Sequence, residues 1–256
     1  MRIAVCIKHV PTREWQPRID DTRRGVREQD ASFEMNEPDA YALEEALRLR
    51  EKHSGEVVVC TAGPARAAQV LREALARGAD RGIHVEGDFL ASIATDSFVV
   101  AGALADAVRE EQFDLVLTGL QSDDQGAAQT GVILAERLGL PHATIVMDVQ
   151  VQGSDVRVKR ELEGGWFQWV QMPLPALLTI QSGINQLRYA TLKGIMAAKK
   201  KEIRKVVPAS LSAARTSVAS LDVPRKTKQT QLIAGSPADA AKGLVDKLKN
   251  EARVIG

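Results

Sequence analysis

The groups able to do chemistry are few, and most sit in one stretch, Asp114 to Pro141 (DLVLTGLQSDDQGAAQTGVILAERLGLP). Asp123 and Asp124 are adjacent there, among glycines at 119, 126 and 131. Such a carboxylate pair suits general acid–base catalysis, or else capping a helix and accepting from a ligand hydroxyl. A glycine-bearing loop between a parallel strand and a helix also offers free backbone N–H groups and the positive end of the helix dipole, where a phosphate can sit. The same loop fits an ordinary strand–helix connection. Elsewhere Cys6 and Cys60 lie in apolar, strand-like runs and read as buried thiols rather than a disulfide. The four histidines, His9, His53, His84 and His142, show no metal-ligand spacing. No Ser/His/Asp set, Cys/His pair, dinucleotide fingerprint or P-loop lysine is present. The run Ala197-Ala198-Lys199-Lys200-Lys201 is either a solvated helix face or a partner-docking patch.

The elements that must position these groups follow from hydrophobic patterning. Arg2–Lys8 reads as a buried first strand. His9–Phe33, polar and broken by Pro11 and Pro17, reads as a long loop or short hairpin over the sheet edge. Trp15 within it is a lid over the core or a contact for a partner or ligand. Asn36 is placed to cap a helix over Ala40–Lys52, with Asp39 in its first turn. A strand at Glu56–Thr61, a tight turn at Ala62-Gly63-Pro64 and a helix at Ala65–Arg77 closed by Gly78 come next. A strand at Gly82–Glu86, a helix at Ala94–Glu111, the strand Asp114–Thr118 and a helix at Ala127–Leu138 complete four alternations. This predicts an α/β fold with a doubly wound, mostly parallel, Rossmann-like sheet.

After Pro141 the pattern changes. Thr144–Gln152, Asp155–Leu162, Trp166–Met172 and Ala176–Gln181 read as strands of an antiparallel extension, with turns at Gly153-Ser154 and Glu163-Gly164-Gly165. Asp155–Leu162 alternates as an edge strand would. From Gln181 periodicity fades until a last helix at about Ala238–Asn250. The expected division is a nucleotide-binding domain over 1–181 and a long C-terminal arm over 182–256. Such an arm has no core of its own and must lie on something else, most simply another subunit.

With 256 residues, 45% hydrophobic and 26% charged, the chain can bury a sizeable core. A net charge of +1 gives no bulk electrostatic reason to bind nucleic acid. No apolar run is long enough to span a membrane and no basic-then-apolar leader opens the sequence, so the cytoplasm is the expected compartment.

Residues 188–196 (RYATLKGIM), followed by Lys199-Lys200-Lys201, resemble the signature of the electron-transfer flavoprotein beta subunit. Met35-Asn36 with Leu43-Glu44-Glu45-Ala46, Ala62-Gly63-Pro64, Gly78–His84, Gln129-Thr130-Gly131 and Arg160–Gly165 before Leu174-Pro175-Ala176 extend the resemblance over nearly the whole chain. The resemblance implies an alpha–beta heterodimer whose alpha subunit holds a redox-active FAD. It implies that this chain carries a second adenine nucleotide, AMP in ordinary members and a second FAD in electron-bifurcating ones. Nucleotide contacts carried over by position fall on Cys6, on Asn36, Glu37, Pro38 and Asp39, and on Ala62. They continue over Asp124, Gln125, Gly126, Ala127, Ala128, Gln129, Thr130, Gly131, Val132, Ile133, Leu134 and Ala135. A docking loop maps onto Arg188, Tyr189, Leu192, Ile195, Met196, Lys199 and Lys200, with Leu192 as the apolar anchor. The implied role is an electron carrier without catalytic residues of its own, linking acyl-CoA-type dehydrogenases to a membrane quinone reductase. The alternative is a bifurcating subunit that oxidises NADH at its own FAD. Asn36-Glu37-Pro38-Asp39 leans toward bifurcating branches, whereas Asp124-Gln125-Gly126-Ala127 departs from their nucleotide loop. Trp15 and the Trp166/Trp169 pair match nothing assigned by the resemblance.

Overall fold

The runs Ile3–Cys6, Val57–Cys60 and Leu115–Leu117 carry apolar side chains on both faces, the pattern of a strand covered by helices on either side. In the computed structural model of the protein, which describes residues 1–87, 95–208, 211–224 and 230–255, each lies within such a strand. The chain begins with β1 (Arg2–Cys6), a hairpin of β2 (His9–Pro11) and β3 (Phe33–Met35), α1 (Glu37–His53) and β4 (Glu56–Gly63). It continues through α2 (Ala68–Arg77), β5 (Arg81–Glu86), α3 (Ser97–Val108), β6 (Leu115–Gly119) and α4 (Thr130–Leu138). Then come β7 (His142–Gln152), β8 (Asp155–Glu161), β9 (Phe167–Pro173), β10 (Ala176–Ile180), α5 (Leu192–Ala198), β11 (Ile203–Val206) and α6 (Pro237–Asp246).

The main sheet has nine strands in the order β11-β5-β4-β1-β6-β10-β7-β8-β9. Every pairing from β11 to β7 is parallel, and the β7-β8-β9 end is antiparallel. From β1 the chain steps outward through β4 and β5, then returns to place β6 on β1's other side. That reversal opens a crevice at the C-terminal ends of β1 and β6, the place where open α/β sheets bind ligands. Alternate strand residues feed two core layers. Ile3, Val5, Val59 and Leu117 pack in one layer with Leu43, Leu47 and Leu71. Ala4, Cys6, Cys60 and Val116 pack in the other with Leu104 and Leu134. Both cysteines are free and buried. Among the described residues no helix is long and apolar enough to cross a membrane.

Several expectations are revised. β10 does not belong to the antiparallel extension: it inserts between β6 and β7 and runs parallel to both, because Ala176–Ile180 is buried on both faces. β8 is an interior strand, not an edge. Val156 and Val158 are buried, while Arg157 and Lys159 lie over the rings of Trp169 and Phe167 on the exposed side of β9. Its alternation marks one covered face. α4 starts at Thr130 rather than Ala127, since Gly126 (φ 61°) and Ala128 (φ 54°) adopt left-handed backbone that no helix tolerates. α1 starts at Glu37, three residues early, with Pro38 in the first turn where a missing N–H costs nothing. α3 starts at Ser97 with the Asp96 side chain accepting from Phe98 N–H, and the expected start at Ala94 falls outside the described residues. Trp15 donates to Asp30 within its own loop.

The chain divides into two compact units, Met1–Leu221 and Asp222–Gly256. The expected division after residue 181 falls elsewhere, because residues 182–206 contribute α5 and β11 to the first unit. β11 joins the sheet beside β5, and α5 packs on α2. Arg72 Nη1 donates to the carbonyls of Ala198 (2.6 Å) and Lys201 (2.8 Å). Lys201 Nζ returns two bonds to the end of α2, at Leu75 O (3.2 Å) and Ala79 O (2.5 Å). In the second unit Ser236 caps α6 by accepting from Asp239 N–H.

Gly194 lets α5 approach this closely, since a Cβ there would overlap the Ala76 carbonyl oxygen. Gly194→Ala is expected to push α5 off α2 at a cost of about 1–3 kcal/mol. Amide exchange over 192–198 should then quicken well beyond that of the sheet. Unchanged protection there would contradict this packing.

Candidate functional site

The crevice at the β1/β6 reversal is built from chain segments that each arrive there for a local reason. Asp39, in the first turn of α1, is buried and accepts from the backbone N–H of Lys8 (2.7 Å) and of Gly119 (2.8 Å). Asn36 sits at the N-cap position of α1 but does not cap it. Its amide instead donates to Gln121 O (3.0 Å) and accepts from Asp123 N–H (2.9 Å), pinning the loop after β6. That loop passes through its two left-handed residues into α4, whose N-terminus carries no side-chain cap. Thr130 and Gly131, at the start of α4, line the cleft. The N-terminal end of a helix dipole is positive, so this wall favours an anion.

Of the sequence-predicted residues, Cys6, Asn36, Asp39, Ala62, Gln125 and the segment Ala127–Gly131 line the cleft. Glu37, Pro38, Asp124 and Gly126 lie beside it without forming its wall. On α4, Val132 and Ile133 are half-buried, whereas Leu134 and Ala135 are fully buried and belong to the α3/α4 core layer. Gly131 is glycine because of the sheet: a Cβ there would come within 2.6 Å of Thr118 Oγ1 and 2.8 Å of Thr179 Cγ2. Sequence reasoning missed Lys8. Its Nζ crosses the crevice to Asp124 Oδ1 (2.7 Å), Gln125 Oε1 (3.0 Å) and Ser122 Oγ (3.2 Å). The available signal was a cation directly after the apolar run of the first strand, at its C-terminal end.

Burial pushes the Asp39 carboxyl up to about 7, against the two N–H donors that favour its charged form. The hydrogen bond to Cys60 and burial push the Cys6 thiol upward, so the cleft floor presents a neutral thiol and not a nucleophilic thiolate. Among the described residues no cluster of His, Cys, Asp and Glu is arranged to hold a metal. The site therefore offers binding groups for an anionic ligand.

The electron transfer flavoprotein domain model matches residues 24–211. The electron transfer flavoprotein subunit beta of Methylophilus methylotrophus is 36% identical over 255 residues, covering 94% of this chain and 96% of that protein. The mitochondrial subunit beta of Oryza sativa subsp. japonica is 39% identical over 256 residues, covering 100% of both chains. The human subunit beta is 37% identical over 259 residues, covering 99% of each. The chain belongs to the electron transfer flavoprotein beta-subunit family.

The docking loop expected for an electron transfer flavoprotein beta chain is split in two by the structure. Arg188 faces inward and pairs with Glu44 (2.7 Å) and Glu51 (2.6 Å) of α1, holding both carboxyls below their usual range. Thr191 caps α5 by accepting from Gly194 N–H (3.0 Å). Tyr189 (88% exposed), Leu192 (84%), Met196 (63%) and Ile195 (44%) then present apolar surface outward. Lys199 and Lys200 are exposed beside them.

Asp39 sets a pH dependence with a defined sign. Between pH 4 and 7 the native state keeps a proton that the unfolded chain, with a carboxyl at 3.8, has already released. Stability from this group therefore falls as pH rises through that window, by up to roughly 4 kcal/mol. His9, lowered to about 4 chiefly by burial, acts in the opposite direction below pH 6.5, so the effect must be read as a difference. Relative to Asp39→Asn, the wild type should lose stability in urea titrations between pH 4 and 7. Parallel curves for the two proteins would contradict the buried, protonated carboxyl.

Proposed function

We propose that this chain is the beta subunit of an alpha–beta electron-transfer flavoprotein and that its cleft holds AMP. The alpha subunit then carries the redox-active FAD. The observation that supports this most is the crevice itself: a sheet reversal point, an uncapped helix N-terminus and one lysine, with no catalytic constellation among the described residues. Such a site suits a bound adenosine phosphate that is kept, not turned over. Electrons would pass from acyl-CoA-type dehydrogenases through the alpha-bound FAD to a membrane quinone reductase. The cytoplasm is the compartment we assign, supported by two buried thiols left unpaired.

Donor recognition we assign to α5. A rigid helix with Leu192 and Met196 outward, tied to α2 through Arg72 and Lys201, presents a pre-organised apolar anchor. Lys199 and Lys200 would speed encounter with an acidic partner.

Cofactor content separates the AMP reading from the bifurcating one. Acid extraction of the purified heterodimer should release one FAD and one AMP, and two flavins with no AMP would overturn the AMP assignment. Leu192→Ala should slow electron transfer from the donor dehydrogenase by about 30-fold, the loss of a ~2 kcal/mol anchor, while flavin content and melting temperature stay unchanged. Equal donor kinetics for mutant and wild type would remove α5 from the docking role.

A further inference from the structure

We propose that Lys8 is the cation that recognises the nucleotide's phosphate, and that Asp124 is its internal counter-ion, displaced when the phosphate enters. The proposal deepens, and rests on, the reading of the cleft as a nucleotide site. Lys8 springs from a fixed base. Its backbone N–H donates to Asp39 Oδ2 (2.7 Å) and its carbonyl accepts from Asn36 N–H (3.0 Å), so the side chain can only project across the crevice. At its end, Nζ meets three oxygens, those of Ser122, Asp124 and Gln125, of which only the Asp124 oxygen is charged. An ammonium group has three donors and no planar fork to satisfy, so it fits a phosphate oxygen as well as this oxygen cage.

Among the described residues that line the cleft, Lys8 is the only cation. Arg13, a second basic group that reaches the loop, is engaged with Glu37 and with Asp123 (3.6 Å) outside that wall. Asp39, the one acid among the described residues that line the cleft, is committed to backbone donors. The Asp124 side chain is 7% exposed and also accepts from Gln125 N–H (2.8 Å). Its carboxylate therefore keeps a donor within its own loop when the lysine turns to a ligand. Without ligand, the pair neutralises a charge that would otherwise stand half-desolvated over the cleft floor.

The test uses the full-length chain purified with its partner subunit and freed of bound nucleotide, titrated calorimetrically with AMP and with adenosine. Lys8→Met should weaken AMP binding about 10- to 100-fold, the loss of a charge-assisted contact, while adenosine affinity changes less than about threefold. Asp124→Asn removes the competing anion and should tighten AMP binding about 3- to 10-fold without affecting adenosine. If Lys8→Met weakens both ligands equally, or leaves their ratio intact, the lysine merely ties the loop and the proposal falls. AMP binding weakened by Asp124→Asn would likewise overturn it, by making Asp124 a ligand contact in its own right. A wild-type protein that takes up neither AMP nor adenosine overturns the nucleotide reading itself, and this proposal with it.

Discussion

The carboxyl group of Asp39 receives the backbone N–H groups that follow β1 and end β6, at Lys8 and Gly119. These two strands flank the reversal of the sheet, and a single buried side chain fixes both of their ends against the start of α1. The geometry of the crevice depends on this tie. Lys8 can cross toward the 122–125 loop only because its backbone is held, and the loop is in place only because Asn36, three residues before Asp39, grips Gln121 and Asp123. Removing one acceptor would leave buried N–H donors unsatisfied, at about 1–3 kcal/mol each. The first turn of α1 therefore serves the site more than the helix.

Helix α5 rests on a second, separate set of ties. Arg188 is bound to two glutamates of α1, Arg72 and Lys201 exchange bonds between α2 and the end of α5, and Thr191 caps the start. Arg188 and Lys201 thus fasten this loop to α1 and α2, while Tyr189, Leu192, Ile195 and Met196 are left outside, the reverse of the usual burial pattern. Exposed apolar side chains on a well-fastened helix suit a partner contact better than packing on the chain's own core.

Two-sided apolar runs made the parallel strands legible, because only a strand covered by helices on both faces tolerates them. The glycine loop and the helix after it were legible from the apolar strand ending at Gly119 and the helical spacing of Val132, Ile133, Ala135 and Leu138, though the left-handed Gly126 and Ala128 delay the helix to Thr130. What escaped reading depends on tertiary context. β10 looks like any strand after a hairpin, and nothing local says that Ala176–Ile180 returns to pair with β6. β11, Ile203–Val206, is short and half charged, as edge strands are, so its place beside β5 was hidden. Asn36 reads as a cap by residue type, but long-range acceptors and donors won its amide. Lys8 reads in the sequence as the end of the first strand, and only the folded loop brings Asp124 to it.

The central claim is that the crevice at the β1/β6 reversal is the nucleotide site. Photolabelling the purified heterodimer with 8-azido-AMP, followed by peptide mapping, tests it most directly. The account predicts label on peptides spanning Cys6–Lys8, Asn36–Asp39 and Gly119–Gly131, abolished by excess AMP. Label confined to the alpha subunit, or to peptides of this chain remote from those segments, would contradict it.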